Sequence, residues 1–234
     1  MSIWGKLAAA ELLIGAPIAA LLSGAAPDNQ GKKQDRIEEN DVAFTIGVIV
    51  LGAKMAKADG VVTTDEVTAF KNAFKVSNAE MKQAARVFNL AKRDMTGYEA
   101  CAEQLVIVFK GNRKLLGDVL EGLFHIAKAD EALHPQEEQF LRQVAKRFGF
   151  TDVEFRSIRA RHVGAADRNP YEVLGLEPSV SNKELKSHYR ALVTDNHPDE
   201  LVARGVPEEF VTIAIEKVDS LNEAYDAIAK QRGI

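Results

Sequence analysis

Four carboxylates stand at matched places in this 234-residue chain: Asp59 and Glu66, then Asp130 and Glu137. If the segments around them face each other, the four would converge on one hard cation. Calcium takes six to eight oxygen ligands, however, and the alternating acidic spacing of an EF-hand loop is missing. The reading adopted is therefore no metal: the aspartates satisfy turn amides and the glutamates complete helix caps. His125 and His134 lie nine apart across a turn with no third ligand in view, which argues against a metal there too. There is no glycine-rich phosphate loop, no Gly-x-Ser-x-Gly elbow and no His-Glu-x-x-His pair. The chain reads as a non-enzyme without a cofactor. Its one cysteine, Cys101, sits between alanines and reads as a buried, inert thiol that has no intrachain partner.

A second group of chemically capable residues lies near the C-terminus: His197-Pro198-Asp199, preceded by Lys183, Lys186 and Arg190. Asn169 before Pro170 caps a short helix that stops at Gly175. Ser181 caps the next, which runs to about Asn196 with Leu185, Tyr189 and Leu192 as its buried stripe. The three basic residues fall off that stripe and form an exposed cationic face. Pro198 stops the helix, since proline disfavours helix at the residue before it. Taken alone, His197 at that stop is only a turn residue favoured as a cation by the helix C-terminus. Pro207 and Glu208 open a last helix, apolar at Ile213, Val218, Leu221, Ala224, Tyr225 and Ile228, that ends near Arg232. Tyr171, Leu174, Leu185, Tyr189, Leu221 and Tyr225 are expected in its core.

The elements before this hairpin are helical as well. Capping boxes recur, each a Ser or Thr followed three residues on by Glu: Thr63 with Glu66, Ser77 with Glu80, Thr96 with Glu99, Thr151 with Glu154, and Ser181 with Glu184. Helices are expected near 42–58, 64–76, 78–93, 97–110, 112–129, 135–149 and 152–162. The first is apolar on nearly every face from Ala43 to Ala53, too short to span a bilayer and suited to a central core helix. Sliding the chain by 71 positions aligns Met55-Ala56-Lys57-Ala58-Asp59 with Ile126-Ala127-Lys128-Ala129-Asp130, followed by Val62 with Leu133 and Phe70 with Leu141. Two copies of helix, acidic turn and capped helix imply a pseudo-symmetric all-α bundle.

Composition adds bounds. A net charge of −4 provides no basic field for nucleic acid. Residues 1–26 are apolar, but Gly15 and Pro17 interrupt the uncharged run from Leu12 to Ala26, which is shorter than the roughly 20 residues of a spanning helix. A weak membrane anchor, an interfacial segment and a docked helix all stay open. If the segment spans, Lys32, Lys33 and Arg36 hold the remainder in the cytoplasm. Residues 27–40 are polar and read as a linker, 41–161 as a helical domain, 162–168 as a second linker and 169–234 as a small helical hairpin domain.

The opening N-P-Y-E-V-L-G, the L-x-x-x-Y-R-x-L helix, the H-P-D loop and the closing L-N-E-A-Y-D resemble the J domain of the DnaJ family. The repeated A-K-A-D turn with its glutamate seven residues later resembles the TerB-like domain, a helical bundle. The order of the two, the Trp4-Gly5-Lys6 start and the long connection after His-Pro-Asp are similar to the DjlA group, although the N-terminus here is a poorer span than that group carries. The resemblance implies a co-chaperone that stimulates ATP hydrolysis by a DnaK-type chaperone. His197, Pro198 and Asp199 would contact the ATPase domain, and Lys186 and Arg190, with Lys183, an acidic surface of it. The bundle would target or regulate, through an unknown client or partner. A cytoplasmic location, associated in one reading with the inner membrane, and self-association are compatible with it. An alternative makes the chain a stress-response adaptor or metal-binding TerB-like protein with a secondary J domain. One departure is Asp195, two before His197, where many J domains carry lysine. With eight basic against twelve acidic residues from Arg168 onward, the expectation is weak, salt-sensitive stimulation.

Overall fold

The computed structural model describes residues 33–59, 97–128, 133–164 and 168–234. The expected helices at 64–76 and 78–93, their caps at Thr63 and Ser77, and the apolar segment 1–26 lie outside the described residues. Every regular element among those described is helical. Helix α1 (Lys33–Asp59) passes through the middle of the bundle, and every residue from Ala43 to Ala53 is buried. Burial on all faces is what its continuous apolar run requires. Around it pack α2 (Tyr98–Val108), α3 (Arg113–Ala127) and α4 (Pro135–Arg147). Gly47 allows the closest approach, since a Cβ there would lie 2.7 Å from Leu105 Cδ2. Cys101 is buried on α2, as expected.

One boundary needs correction. The polar segment 27–40 reads as linker in the sequence, yet Lys33–Asn40 is the first part of α1. Its residues (Lys, Gln, Asp, Arg, Ile, Glu, Glu, Asn) lack an apolar period, but most of them favour helix. They extend a helix already nucleated in the core, so each added residue avoids the nucleation cost. At α2 the cap is Gly97 and not Thr96, which lies outside the described residues.

Helix α5 (Asp152–His162) has the expected bounds, with Thr151 and Glu154 closing the capping box. It leads to α6 (Pro170–Leu174), capped by Asn169 Oδ1 accepting from the Tyr171 amide at 3.0 Å and ended by Gly175 at φ +67°. Next come α7 (Asn182–Asp195), α8 (Pro198–Arg204), a 3₁₀ turn (Glu208–Phe210) and α9 (Val211–Arg232). Ser181 and Glu184 form the expected box at the start of α7. Helix α8 differs from the sequence expectation: no helix is expected in the long connection after His-Pro-Asp, but most of it is helical. Pro198 stops α7 and also starts α8, because a proline at the first helical position has no amide to leave unpaired.

Among the described residues there are two apolar cores, and each borrows from the other unit. The hairpin core gathers Tyr171, Leu174, Leu185, Leu221 and Ile228, with Tyr189 and Tyr225 stacked at 4.1 Å along its edge, and takes Ala160 from α5. The bundle core takes Leu201, Val206, Phe210, Ile213 and Ala214 from the C-terminal unit. Phe210 meets Phe44 edge-on at 5.0 Å and lies over Gly122, where a Cβ would stand 3.0 Å from the ring. The C-terminal hairpin is therefore packed onto the bundle. The 162–168 segment, read as a linker, begins with the last residue of α5, and Arg168 hydrogen-bonds back to the carbonyls of Arg161 and Val163.

Candidate functional site

His197 caps α8. Its Nδ1 accepts from the Asp199 amide at 3.3 Å, and its own amide donates to the Thr194 carbonyl. In the neutral ring this leaves the hydrogen on Nε2. The Asp199 carboxylate lies 3.4 Å from the same Nδ1 and is 90% exposed, while the imidazole is 58% exposed. The turn is thus ordered by its own backbone and presents an imidazole and a carboxylate to solvent. Asn196 beneath it is buried and donates to the Leu192 carbonyl at 2.7 Å.

Lys183, Lys186 and Arg190 are all exposed on α7. At 100° per residue they share one face, roughly opposite His188, Leu192 and Asp195. Those three line a cleft of about 360 Å³ between α7 and the bundle. Packing against the bundle therefore leaves the cationic face and the His-Pro-Asp turn uncovered.

A set of charged residues that sequence reasoning misses joins α3, α5 and α9. Glu121 on α3 is 3% exposed. It accepts from Arg161 Nε and Nη2 at 3.0 and 2.6 Å, pairs with His162 Nε2 at 2.7 Å, and lies 3.2 Å from Lys217 Nζ. Burial alone would raise its carboxyl, but Arg161, Lys217 and His162 outweigh burial and hold it well below the usual range. His162 is lowered by burial, and Glu121 only partly offsets this. One helical turn away, Asp118 pairs with Arg204 Nε at 2.7 Å and Lys217 at 3.7 Å. Leaving one of these buried charges without its partner costs about 3–5 kcal/mol. Lys217 and Arg204 are the members of this set that the C-terminal hairpin contributes. The available signal was Asp118 and Glu121, two carboxylates three apart inside an otherwise apolar-periodic run.

Of the four carboxylates weighed for a cation, Glu66 and Asp130 lie outside the described residues, as does the side chain of Asp59. Glu137 is buried and accepts from the His134 amide at 2.9 Å, which is the cap role expected of it. No group of three or more potential metal ligands clusters among the described residues. His125 faces Glu216 at 3.5 Å. Among the described residues no helix is long and apolar enough to cross a membrane.

Residues 45–160 match the family of tellurite resistance protein TerB, and residues 169–232 match the DnaJ domain. The co-chaperone protein DjlA of Vibrio cholerae is 30% identical, over 87% of this chain and 83% of that protein. The DjlA of Photobacterium profundum is 29% identical over the same shares. The Escherichia coli DjlA is 27% identical over 100% of this chain and 99% of its own length. No solved structure matches the chain. With a TerB bundle followed by a C-terminal J domain that carries an exposed His-Pro-Asp turn, the chain belongs to the DjlA family of co-chaperones.

Proposed function

We propose that this protein stimulates ATP hydrolysis by a DnaK-type chaperone, with no covalent chemistry of its own. The observation that carries the proposal is the exposed turn of His197, Pro198 and Asp199 at the end of a helix whose free face bears Lys183, Lys186 and Arg190. The cations would steer the encounter with an acidic surface, a contribution that falls with salt. The turn would then bias the chaperone toward the state that hydrolyses ATP, a population shift in the partner. The names of the DjlA relatives support the co-chaperone role. In this reading the TerB bundle targets or regulates the J domain through an unknown client or partner. The protein acts in the cytoplasm, and residues 1–26 are the candidate for membrane association.

The test is single-turnover ATP hydrolysis by a DnaK-type chaperone of the same cell, with the wild type and with His197→Gln. Acceleration by the wild type and none by the variant is the expected result. If neither has any effect at low salt, the reading is wrong for that partner and the adaptor alternative leads.

A further inference from the structure

Helix α8 leaves the His-Pro-Asp turn and is fastened to the bundle within two turns. Leu201 and Val206 lie in the bundle's core. Arg204, the last residue of α8, donates from Nε to Asp118 Oδ2 and from Nη1 to the carbonyl of Asp195, both at 2.7 Å. Asp195 is the last residue of α7. One guanidinium therefore joins the end of α7 to the helix that His197 caps and Pro198 and Asp199 open, and Asp118 ties that junction to α3. The Arg204 carbonyl accepts from Asn40 Nδ2 of α1 at 3.1 Å, and the chain then turns at Gly205 with φ +95°. Lys114 of α3 adds a strap at the surface, its Nζ 2.8 Å from the Asp195 carboxylate. Asp195, which Arg204 and Lys114 both hold, lies on the face of α7 away from Lys186 and Arg190.

We propose that Arg204, with Asp118, is a positioning residue for chaperone stimulation: it fixes the His-Pro-Asp turn against the end of α7, so the bundle presets how His197 and Asp199 meet the partner. The proposal rests on the co-chaperone reading above. The planar fork of arginine suits the task because it satisfies a carboxylate and a carbonyl in fixed directions at once. A lysine keeps the charge toward Asp118 but has no rigid second arm for the carbonyl. Arg204 itself is mostly buried and is not expected to touch the chaperone.

The test uses the full chain as wild type, Arg204→Ala and Arg204→Lys, and reads three quantities. These are the plateau of single-turnover stimulation, the concentration for half-maximal stimulation, and amide exchange at residues 199–201. In Arg204→Ala the plateau falls by at least about threefold, while the half-maximal concentration, set by the cationic face, stays within about twofold. Exchange at the three amides rises by about tenfold as the turn loosens. Arg204→Lys restores the melting temperature but not the plateau, which separates positioning from a merely structural role and covers a poorly folding alanine variant. A wild-type plateau and wild-type exchange in both variants overturn the proposal alone. A wild type that does not stimulate at all removes the co-chaperone reading, and this proposal falls with it.

Discussion

Replacing Phe210 with alanine should separate the two units of this molecule. The ring is 2% exposed, lies edge-on to Phe44 of α1 and covers Gly122 of α3, although Phe210 belongs to the turn that opens the last helix of the J domain. Burying such a side chain contributes about 1.5–3 kcal/mol by transfer from water, and the edge-to-face pair adds about 0.5–1.5 kcal/mol. With the residual cavity included, the expected loss is about 3–5 kcal/mol. Because each core holds side chains from the other unit, the wild type should unfold in urea as one transition that tryptophan-independent probes, such as far-ultraviolet circular dichroism and amide exchange of either unit, report together. In Phe210→Ala the loss falls on the seam, so the hairpin and the bundle should melt separately and the bundle probes should move less than the hairpin probes. A loss under about 1.5 kcal/mol with a single coincident transition would refute the claim that Phe210 is an anchor between the units.

Two further outcomes follow from the charges. His162 is held below its ordinary value by burial, so the unfolded chain takes its proton first; stability should be full above about pH 6.5 and fall as pH drops through the folded value. Melting temperature against pH should show that limb in the wild type and lose it in His162→Gln; the depressed Glu121, which Arg161 and Lys217 still face in that variant, contributes stability above about pH 4.3 that is lost as pH falls through its own folded value. Replacing Lys186 and Arg190 together with alanine should raise the concentration for half-maximal stimulation by about fivefold at low salt. That gap should shrink as the Debye length falls from about 30 Å at 0.01 M salt to about 8 Å at 0.15 M, and a gap independent of salt would argue against steering.

The elements that local patterns specify were readable from sequence. The Thr151 and Ser181 boxes, the Asn169-Pro170 start and the Gly175 stop each act within a few residues, and each is in place. The apolar run of α1 announced a helix buried on all sides, because no polar face was available to meet water. What stayed hidden depends on pairing over distance. Arg204 meets Asp118 across 86 positions and Arg161 meets Glu121 across 40. Helical periodicity says that a residue faces some apolar surface, not which one. Ile213 was therefore assigned to the hairpin's own apolar stripe, although it packs into the bundle core. The same limit hid α8, whose seven residues are too few for a periodic signal.

Asp195 shows how such pairing changes a local reading. As a residue beside the turn it looked like a defect in a basic surface, since it lowers the positive charge where many J domains carry lysine. Its carboxylate is instead 2.8 Å from Lys114, with both side chains about half exposed. An exposed pair of this kind contributes only about 0–1 kcal/mol, but it does offset the negative charge next to His197. Its backbone carbonyl holds Arg204. On the face of α7 that Asp195 occupies, the neighbour is the bundle, while the opposite, exposed face keeps Lys183, Lys186 and Arg190. An acidic residue there suits a J domain that is built against its own bundle. A lysine at 195 would set two cations together at the position where the bundle already supplies one.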